Sequence, residues 1–205
     1  MKKLLIVFVK YPLPGMVKTR LARDMGNEQA AWLYKNTAER VLAGAAPPCL
    51  QGEYTTAIFY APAEFELPVK QWLPRYALYF PQQGADLGER MLNAFRKGFA
   101  DGYTHISIIG SDCPEVSGEI IIKSFAFLQT YDAVIGPACD GGYYLLGLQR
   151  AFSGLFTAVD WGTDKVLGQT TERMSRLNLS YSLLPKLRDI DRIEDVLYYR
   201  DKGII

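Results

Sequence analysis

Leu4-Leu5-Ile6-Val7-Phe8-Val9 is a continuous apolar run, and it leads directly into the polar stretch Tyr11-Pro12-Leu13-Pro14-Gly15-Met16-Val17-Lys18-Thr19-Arg20. A short apolar run that ends at prolines and glycine is typical of a strand buried on both faces of a parallel sheet. The two stretches together predict an α/β fold in which residues 11–20, the first loop, follow the carboxyl end of the first strand.

The first loop carries residue types that suit a ligand with phosphate groups. Pro12 and Pro14 restrict the backbone, and Gly15 permits a close approach to the main chain. Lys18 and Arg20 bring positive charge to the carboxyl end of a strand, where open α/β sheets bind ligands. We therefore expect Pro14, Gly15, Lys18 and Arg20 to form a di- or triphosphate site. The alternative for both cations is the solvated start of a helix.

The first loop matches neither of the common nucleotide-binding motifs. A P-loop requires Gly-x-x-x-x-Gly-Lys-[Ser/Thr], and Val17 stands before Lys18 where that motif needs glycine. No Gly-x-Gly-x-x-Gly follows the first strand. The sequence therefore excludes a P-loop and a dinucleotide fingerprint at this position.

Composition narrows the class of protein. A chain of 205 residues with 49% hydrophobic and 22% charged residues suits one α/β domain over residues 1–205. A net charge of +1 gives no electrostatic footprint for nucleic acid or an anionic membrane. No apolar run is long enough to span a bilayer, and no signal-peptide pattern is present, so we expect a cytoplasmic protein. The three cysteines form no Cys-x-x-Cys pair, which argues against a zinc site. The sequence does not indicate an oligomeric state.

Strand and helix patterns alternate along the chain, which predicts a three-layer α/β/α sandwich around a mostly parallel sheet. Asp86 is the expected N-cap of the third helix. The predicted strands cover residues 4–9, 55–60, 77–80, 105–110, 133–136, 143–148 and 181–184. The predicted helices cover residues 27–42, 65–73, 87–99, 118–128, 163–177 and 193–202.

Two segments place aspartates where a cation site can form. Asp112 follows the strand that ends at Gly110, and it suits either Mg²⁺ or Mn²⁺ binding or a turn in which it bonds its own backbone. Asp191 fits a capping box with Glu194 at the start of the last helix. Asp191 also suits the role of a second carboxylate at the edge that Asp112 occupies, and the two roles are compatible.

The segment Asp140-Gly141-Gly142-Tyr143-Tyr144 has two interpretations. Asp-Gly-Gly commonly forms a hairpin turn between two strands. The glycines also suit a loop that lets a substrate approach the backbone, beside tyrosines that stack on a sugar or a base. Both interpretations stay open at this point, and the second makes Asp140, Gly141, Gly142 and Tyr143 candidate ligand-binding residues.

Five segments of the chain match a known family in their motifs and in their order. They are residues 12–21, 84–90, 110–114, 140–144 and 189–195. Together they resemble a bacterial family of glycosyltransferase-A-type transferases associated with radical-SAM or selenium-domain proteins (selenodomain-associated transferase 1). More distantly the chain is similar to phospholactate and molybdenum-cofactor guanylyltransferases. The resemblance implies a nucleotide-diphospho-sugar transferase fold, with Lys18 on the phosphates and Asp112 and Asp191 on Mg²⁺ or Mn²⁺.

The resemblance also places a base-recognition loop before the third helix. Gln83 and Gly84 are candidate nucleotide contacts there, although an exposed polar loop explains Gln83 equally well. Arg90 lies about one turn into the helix, where it can assist a phosphate or an acceptor, or pair with Asp86 at i, i+4.

The metal motif helps to choose between two transferase reactions. Many glycosyltransferases with the fold that the resemblance implies carry Asp-x-Asp at the strand end. In this chain Asp112 is a single acid there. We therefore favour a nucleotidyltransferase with a small phosphorylated acceptor, with Lys18, Arg20 and Asp112 as the catalytic residues. A glycosyltransferase that uses a nucleotide sugar and a non-catalytic nucleotide-binding module are the alternatives.

Overall fold

The computed structural model describes residues 1–205, and seven strands form one sheet in the order β3-β2-β1-β4-β6-β5-β7. Neighbouring strands run parallel, except that β6 is antiparallel to both β4 and β5. The strands are β1 (Lys3–Lys10), β2 (Thr55–Ala61), β3 (Leu78–Pro81), β4 (His105–Ile109), β5 (Ala133–Pro137), β6 (Tyr143–Leu148) and β7 (Tyr181–Leu183). The predicted mostly parallel α/β sheet is confirmed.

Seven α-helices connect and cover the strands, and no helix combines the length and apolarity needed to cross a membrane. The helices are α1 (Ala22–Met25), α2 (Asn27–Ala45), α3 (Glu66–Trp72), α4 (Leu87–Ala100), α5 (Gly118–Phe127), α6 (Val166–Arg176) and α7 (Ile193–Asp201). Asp86 caps α4 as predicted, because its carboxylate accepts from the Glu89 backbone N–H at 2.8 Å.

Two helix predictions need correction. The short α1 follows the first loop, where no helix was predicted. α6 begins at Val166 instead of residue 163, because the Thr163 hydroxyl donates to the Asp160 carbonyl at 2.8 Å and stabilises a turn. Local bonds of this kind compete with helix formation.

The core explains why the first strand is apolar at every position. Alternate side chains of a strand point to opposite faces of the sheet. Leu5, Val7 and Val9 pack in the core layer that contains residues of α2, α3 and α5. Leu4, Ile6 and Phe8 pack in the layer that contains residues of α4 and α6. β1 is thus buried on both faces, as predicted.

The strand order fixes where a crevice opens. The chain passes from β1 outward through β2 and β3 and then returns to place β4 on the other side of β1. Crevices at such a switch point, outside the carboxyl ends of the strands, are the usual ligand sites of open α/β sheets. The first loop follows β1 and residues 110–114 follow β4, so both candidate segments meet at this crevice.

Candidate functional site

A cavity of about 510 Å³ occupies the crevice, and we call it the cleft. Its volume lies within the range of small-molecule sites. Residues of the first loop, of the segments after β4 and β5, of α4 and of the C-terminal segment line it. The predicted site residues among them are Lys18, Arg20, Arg90, Asp112, Asp140, Gly142, Tyr143 and Asp191.

Lys18 is the central cation of the cleft. Its ammonium lies 3.0 Å from Asp112 Oδ2 and 3.8 Å from Asp191 Oδ1, and only 9% of its side chain is exposed. Burial by itself would lower the pKa of Lys18, but the Asp112 carboxylate, with help from Asp191 and Asp189, raises it above its ordinary value. A solvated helix start is therefore the wrong interpretation for Lys18.

The backbone aims Lys18 into the cleft. Lys18 adopts a left-handed conformation with φ of 47°, which is uncommon for a residue with a side chain. The residues on either side of this turn, Val17 and Leu21, are both buried in hydrophobic clusters. These apolar anchors hold the first loop against the domain and offset the cost of the left-handed backbone.

Asp112 is positioned from two directions. Its backbone carbonyl accepts from the Ile190 N–H at 2.9 Å, and its carboxylate bonds Lys18. A Cβ at position 110 would lie 3.0 Å from Asp112 Oδ1, so Gly110 leaves room for the carboxylate. The interpretation of Asp112 as a turn residue that bonds its own backbone is wrong.

A buried hydroxyl pair ties the two sides of the crevice together. The Tyr34 hydroxyl accepts from the Lys10 backbone N–H at 2.8 Å, at the end of β1. The same hydroxyl shares a 2.8 Å hydrogen bond with Ser111 Oγ, beside Asp112. Burial raises the pKa of Tyr34, so the phenol stays protonated and can act as a fixed spacer.

Asp191 does not cap the last helix in the predicted way. The Asp195 carboxylate accepts from the backbone N–H groups of Asp191 at 3.0 Å and Arg192 at 2.8 Å, so Arg192 is the N-cap position. The predicted pairing of Asp191 with Glu194 is one residue out of register. The Asp191 side chain instead accepts from Arg20 at 2.8 Å and faces Lys18.

Sequence reasoning missed Asp189 as a site residue. Asp189 lines the cleft, and burial, together with the Asp112 and Asp140 carboxylates, raises its pKa to about 7. The sequence does carry a signal for Asp189, since it lies two residues before Asp191, and residues two apart in an extended chain point to the same side. Asp189 and Asp191 flank Ile190, which is 1% exposed, so both aspartates turn toward the cleft.

Asp112 and Asp191 are the residues that could hold a divalent cation. No group of three or more His, Cys, Asp and Glu side chains is arranged to hold a metal ion. Two carboxylates nevertheless face one positive centre, the Lys18 ammonium. Oxygen ligands suit Mg²⁺ and Mn²⁺, and one or two protein carboxylates are usual when phosphates supply further oxygens. The donor set therefore fits such a cation bound together with a phosphate ligand.

The Asp140 segment forms the predicted hairpin and also reaches the cleft. It connects β5 to the antiparallel β6, and the Asp140 carboxylate accepts from the Gly142 N–H at 2.8 Å. Asp140, Gly142 and Tyr143 line the cleft. Gly141 does not, because it packs against the backbone of Asp164.

Four further predicted residues lie outside the cleft lining, namely Pro14, Gly15, Gln83 and Gly84. Gln83 is exposed. Its neighbour Gln82 lines the cleft instead and donates to the carbonyls of Val9 at 3.1 Å and Phe59 at 2.8 Å.

Arg90 reaches the cleft through a contact that the sequence did not indicate. Its Nε donates to the Gly84 carbonyl at 3.1 Å, and its side chain lines the cleft. Arg90 forms no ion pair with Asp86, because the Asp86 carboxylate caps α4. Gly84 therefore positions Arg90 rather than lining the cleft itself.

Trp161 is a second cleft residue that sequence reasoning missed. It lies in the loop before α6 and lines the cleft with Gly162 and Thr163. Its indole occupies the space beside Gly88 at the start of α4. No motif marks this loop, so only the fold reveals that Trp161 reaches the site.

Several solved structures have a fold similar to that of this chain. A candidate nucleotide-diphospho-sugar transferase from Desulfovibrio desulfuricans G20 is 41% identical, with a TM-score of 0.88 over 99% of this chain and 89% of that chain. The 4-diphosphocytidyl-2C-methyl-D-erythritol synthase of Anaerococcus prevotii DSM 20548 is 11% identical, with a TM-score of 0.64 over 98% and 96% of the chains.

A third structure is glucosyl-3-phosphoglycerate synthase from Mycobacterium tuberculosis, in complex with Mn²⁺, uridine diphosphate and glucosyl-3-phosphoglycerate. It is 10% identical, with a TM-score of 0.58 over 99% of this chain and 77% of that chain. At such low identity the last two structures show a shared fold alone. The Desulfovibrio structure confirms the predicted nucleotide-diphospho-sugar transferase type of fold.

No protein with a curated description matches this chain. Residues 49–163 match a protein family described as an uncharacterized protein conserved in bacteria, DUF2064. The match covers more than half of the chain, and the 41% identical Desulfovibrio structure spans nearly all of it. The chain therefore belongs to the bacterial DUF2064 family, whose fold is of the glycosyltransferase-A type.

Proposed function

We propose that this protein is a nucleotide-utilising transferase, and specifically a nucleotidyltransferase that acts on a nucleoside triphosphate and a small phosphorylated acceptor. The observation that carries the proposal is the arrangement of Lys18 between Asp112 and Asp191 at the β1/β4 switch point. Burial of the Lys18 ammonium beside two carboxylates costs desolvation free energy. The electrostatic interactions of a bound phosphate ligand and a cation would offset this cost.

The proposed reaction needs few protein groups. An acceptor phosphate oxygen attacks the α-phosphorus, a new P–O bond forms, and the bond between the α-phosphorus and the bridging oxygen breaks to release pyrophosphate. The acceptor phosphate is already ionised, so no general base is required. Lys18 and Arg20 would stabilise the negative charge that develops on the leaving pyrophosphate.

Asp112 and Asp191 would hold Mg²⁺ or Mn²⁺ in this reaction, and the bound ion would neutralise phosphate charge. The Lys18 ammonium bonds Asp112 directly, whereas the Arg20 guanidinium bonds Asp191 at 2.8 Å. Each carboxylate therefore has one cationic partner beside it, and a metal ion would share these oxygens with Lys18 and Arg20. Manganese in the Mycobacterium synthase is consistent with divalent-ion use in this fold.

A glycosyltransferase is the second candidate, because the 41% identical Desulfovibrio protein is a candidate nucleotide-diphospho-sugar transferase. We favour nucleotidyl transfer because a single acid, Asp112, follows β4, and its partner Asp191 comes from the distant C-terminal segment. A single strand-end acid joined by a distant second acid is more typical of a nucleotidyltransferase than of a glycosyltransferase that carries Asp-x-Asp on one loop.

The released product separates the two reactions. The protein is incubated with each nucleoside triphosphate, Mg²⁺ and a panel of small phosphorylated acceptors, and pyrophosphate is measured. A parallel series with nucleotide sugars is assayed for nucleoside diphosphate and monophosphate. We expect acceptor-dependent pyrophosphate, which an Asp112→Asn variant should not produce.

Nucleoside diphosphate from a nucleotide sugar, with no pyrophosphate from any triphosphate, would favour the glycosyltransferase instead. Tight nucleotide binding without either product across the panel would favour a binding module.

A further inference from the structure

The cleft has two chemically different ends. Lys18, Arg20, Asp112 and Asp191 form a charged end on the side of α2 and α7. On the side of α4 and α6 the lining is apolar and aromatic, and includes Leu87, Met91, Tyr143, Trp161 and Val166. A nucleotide has the same division, with a charged phosphate tail at one end and a flat, weakly polar base at the other.

Trp161 is fixed in this apolar end by the absence of a side chain at Gly88. A Cβ at position 88 would lie 2.5 Å from Trp161 Nε1 and 2.6 Å from Cε2, so the indole packs directly on the backbone of α4. Gly88 is in a helix, where glycine is unfavourable relative to alanine. Gly88 thus weakens the helix, but it leaves the space that the indole occupies.

The loop that carries Trp161 is itself anchored to α6. The Asp160 backbone N–H donates to Gln169 Oε1 at 2.8 Å, and Gln169 Nε2 donates to Asp160 Oδ2 at 2.9 Å. The Trp161 backbone N–H donates to the Val159 carbonyl at 2.9 Å and closes a tight turn. An aromatic ring held by both its own loop and a neighbouring helix is preorganised, so a ligand would bind it at little cost in conformational entropy.

We propose that Trp161 is a ligand-contacting residue that stacks on the nucleobase of the bound nucleotide, with Gly88 as its positioning residue. This inference rests on the proposed use of a nucleotide. Aromatic stacking tolerates every base, since each base has a π face. Arg90 also lines the cleft near the start of α4. Its guanidinium is available to donate to the ribose or to the edge of the base.

The test compares ligands with and without a base. Binding of ATP, GTP, CTP and UTP, each with Mg²⁺, and of inorganic triphosphate is measured by calorimetry for the wild type and for Trp161→Ala. Loss of one stacking contact weakens base binding by about five- to hundredfold. We expect a loss of this size for at least one nucleotide, with the affinity for inorganic triphosphate unchanged. Trp161→Phe should keep most of the affinity because it keeps an aromatic face.

Gly88→Ala provides an independent arm, since the added methyl group must displace the indole while Trp161 itself is retained. It should show the same selective loss as Trp161→Ala. Gly168→Ala is the matched control, because Gly168 also lies in a helix and has no atom near its Cβ position. This control should bind every ligand as the wild type does.

Fluorescence gives a direct readout of the contact. The chain has three tryptophans, and Trp32→Phe/Trp72→Phe leaves Trp161 as the only one. Bound nucleotide should quench its emission, whereas inorganic triphosphate should bind without quenching.

Equal losses for nucleotides and inorganic triphosphate in both Trp161→Ala and Trp161→Phe would overturn the inference, as would no loss for any ligand. Weaker binding of a sugar phosphate probe, glucose 1-phosphate, with nucleotides unaffected, would assign Trp161 to the acceptor and also overturn it. The proposed function fails separately, if the wild type binds neither nucleotides nor inorganic triphosphate.

Discussion

The Lys18 ammonium lies 3.0 Å from the Asp112 carboxylate, although the two residues are 94 positions apart in the chain. The lysine follows β1 and the aspartate follows β4, and the pairing of these two strands brings them together. The ion pair therefore depends on the switch in strand order at the centre of the sheet. It holds the Lys18 ammonium at a fixed place in the cleft, close to the carboxylate that we propose as a metal ligand.

Lys18→Ala should weaken triphosphate binding much more than nucleoside binding, because the phosphates are the part of the ligand that the ammonium would contact. A charge-assisted hydrogen bond contributes about 1.5–3 kcal/mol, or roughly ten- to a hundredfold in affinity. Calorimetry with a nucleoside triphosphate and the matching nucleoside checks this. Lys35→Ala, an exposed lysine on α2, is the control. Equal losses for both ligands would show general damage to the first loop.

Asp112→Asn should abolish the part of nucleotide binding that depends on Mg²⁺, because the amide keeps the shape of the side chain and removes its charge. The measurement is nucleotide affinity with Mg²⁺ and with a chelator. Asp101→Asn, in an exposed pair with Lys97, should keep the full metal dependence. If Asp112→Asn responds to Mg²⁺ as the wild type does, Asp112 is not a metal ligand.

Asp189 should make stability depend on pH. Its pKa rises from 3.8 to about 7 on folding, mainly through burial and then through Asp112 and Asp140. The folded protein then binds more protons than the unfolded chain between these two pKa values. The free energy of unfolding should therefore fall as the pH rises from about 4 to about 7 and then level off.

The Asp189→Asn variant should lack this fall and should gain stability over the wild type as the pH approaches 7. Urea unfolding at several pH values, without divalent ions, measures the difference. Parallel curves for the two proteins would contradict an Asp189 pKa near 7.

Gly168→Ala should stabilise the protein by roughly 0.5–1 kcal/mol, because alanine suits a helix better and its Cβ would meet no atom within 4 Å. Gly26→Ala makes a matched pair, since position 26 is equally open but has φ of +86°. Strain there should cost roughly 1–3 kcal/mol. Chemical denaturation of both variants measures whether the free energy of unfolding rises or falls. A stabilising Gly26→Ala would contradict the left-handed backbone conformation of Gly26.

Much of the fold could be predicted because its signals are local. The apolar run of β1 reflects burial on both faces, and the Asp86 cap and the Asp140 turn are formed by neighbouring residues. The start of α6 was placed too early because the Thr163 hydroxyl bonds the Asp160 carbonyl. A local hydrogen bond outweighed helix propensity there.

The site was harder to predict than the fold. Lys18, Asp112 and Asp191 could be proposed because each follows a strand signal in a recognisable motif. Trp161 could not, since its place in the cleft depends on the close approach of its loop to Gly88. Asp189 was missed because its neighbour Asp191 already offered a carboxylate, although the burial of Ile190 between them turns both the same way.

The hydrogen bond from the Ile190 N–H to the Asp112 carbonyl has a consequence for the order of folding. It docks the C-terminal segment onto the turn after β4, and Arg20 bonds Asp191 across 171 positions of sequence. Contacts of such long range require closure of large loops, so they form after the local helices. Recovery of ligand binding during refolding should thus lag behind the far-ultraviolet signal of the helices, and the cleft would be among the last parts of the molecule to mature.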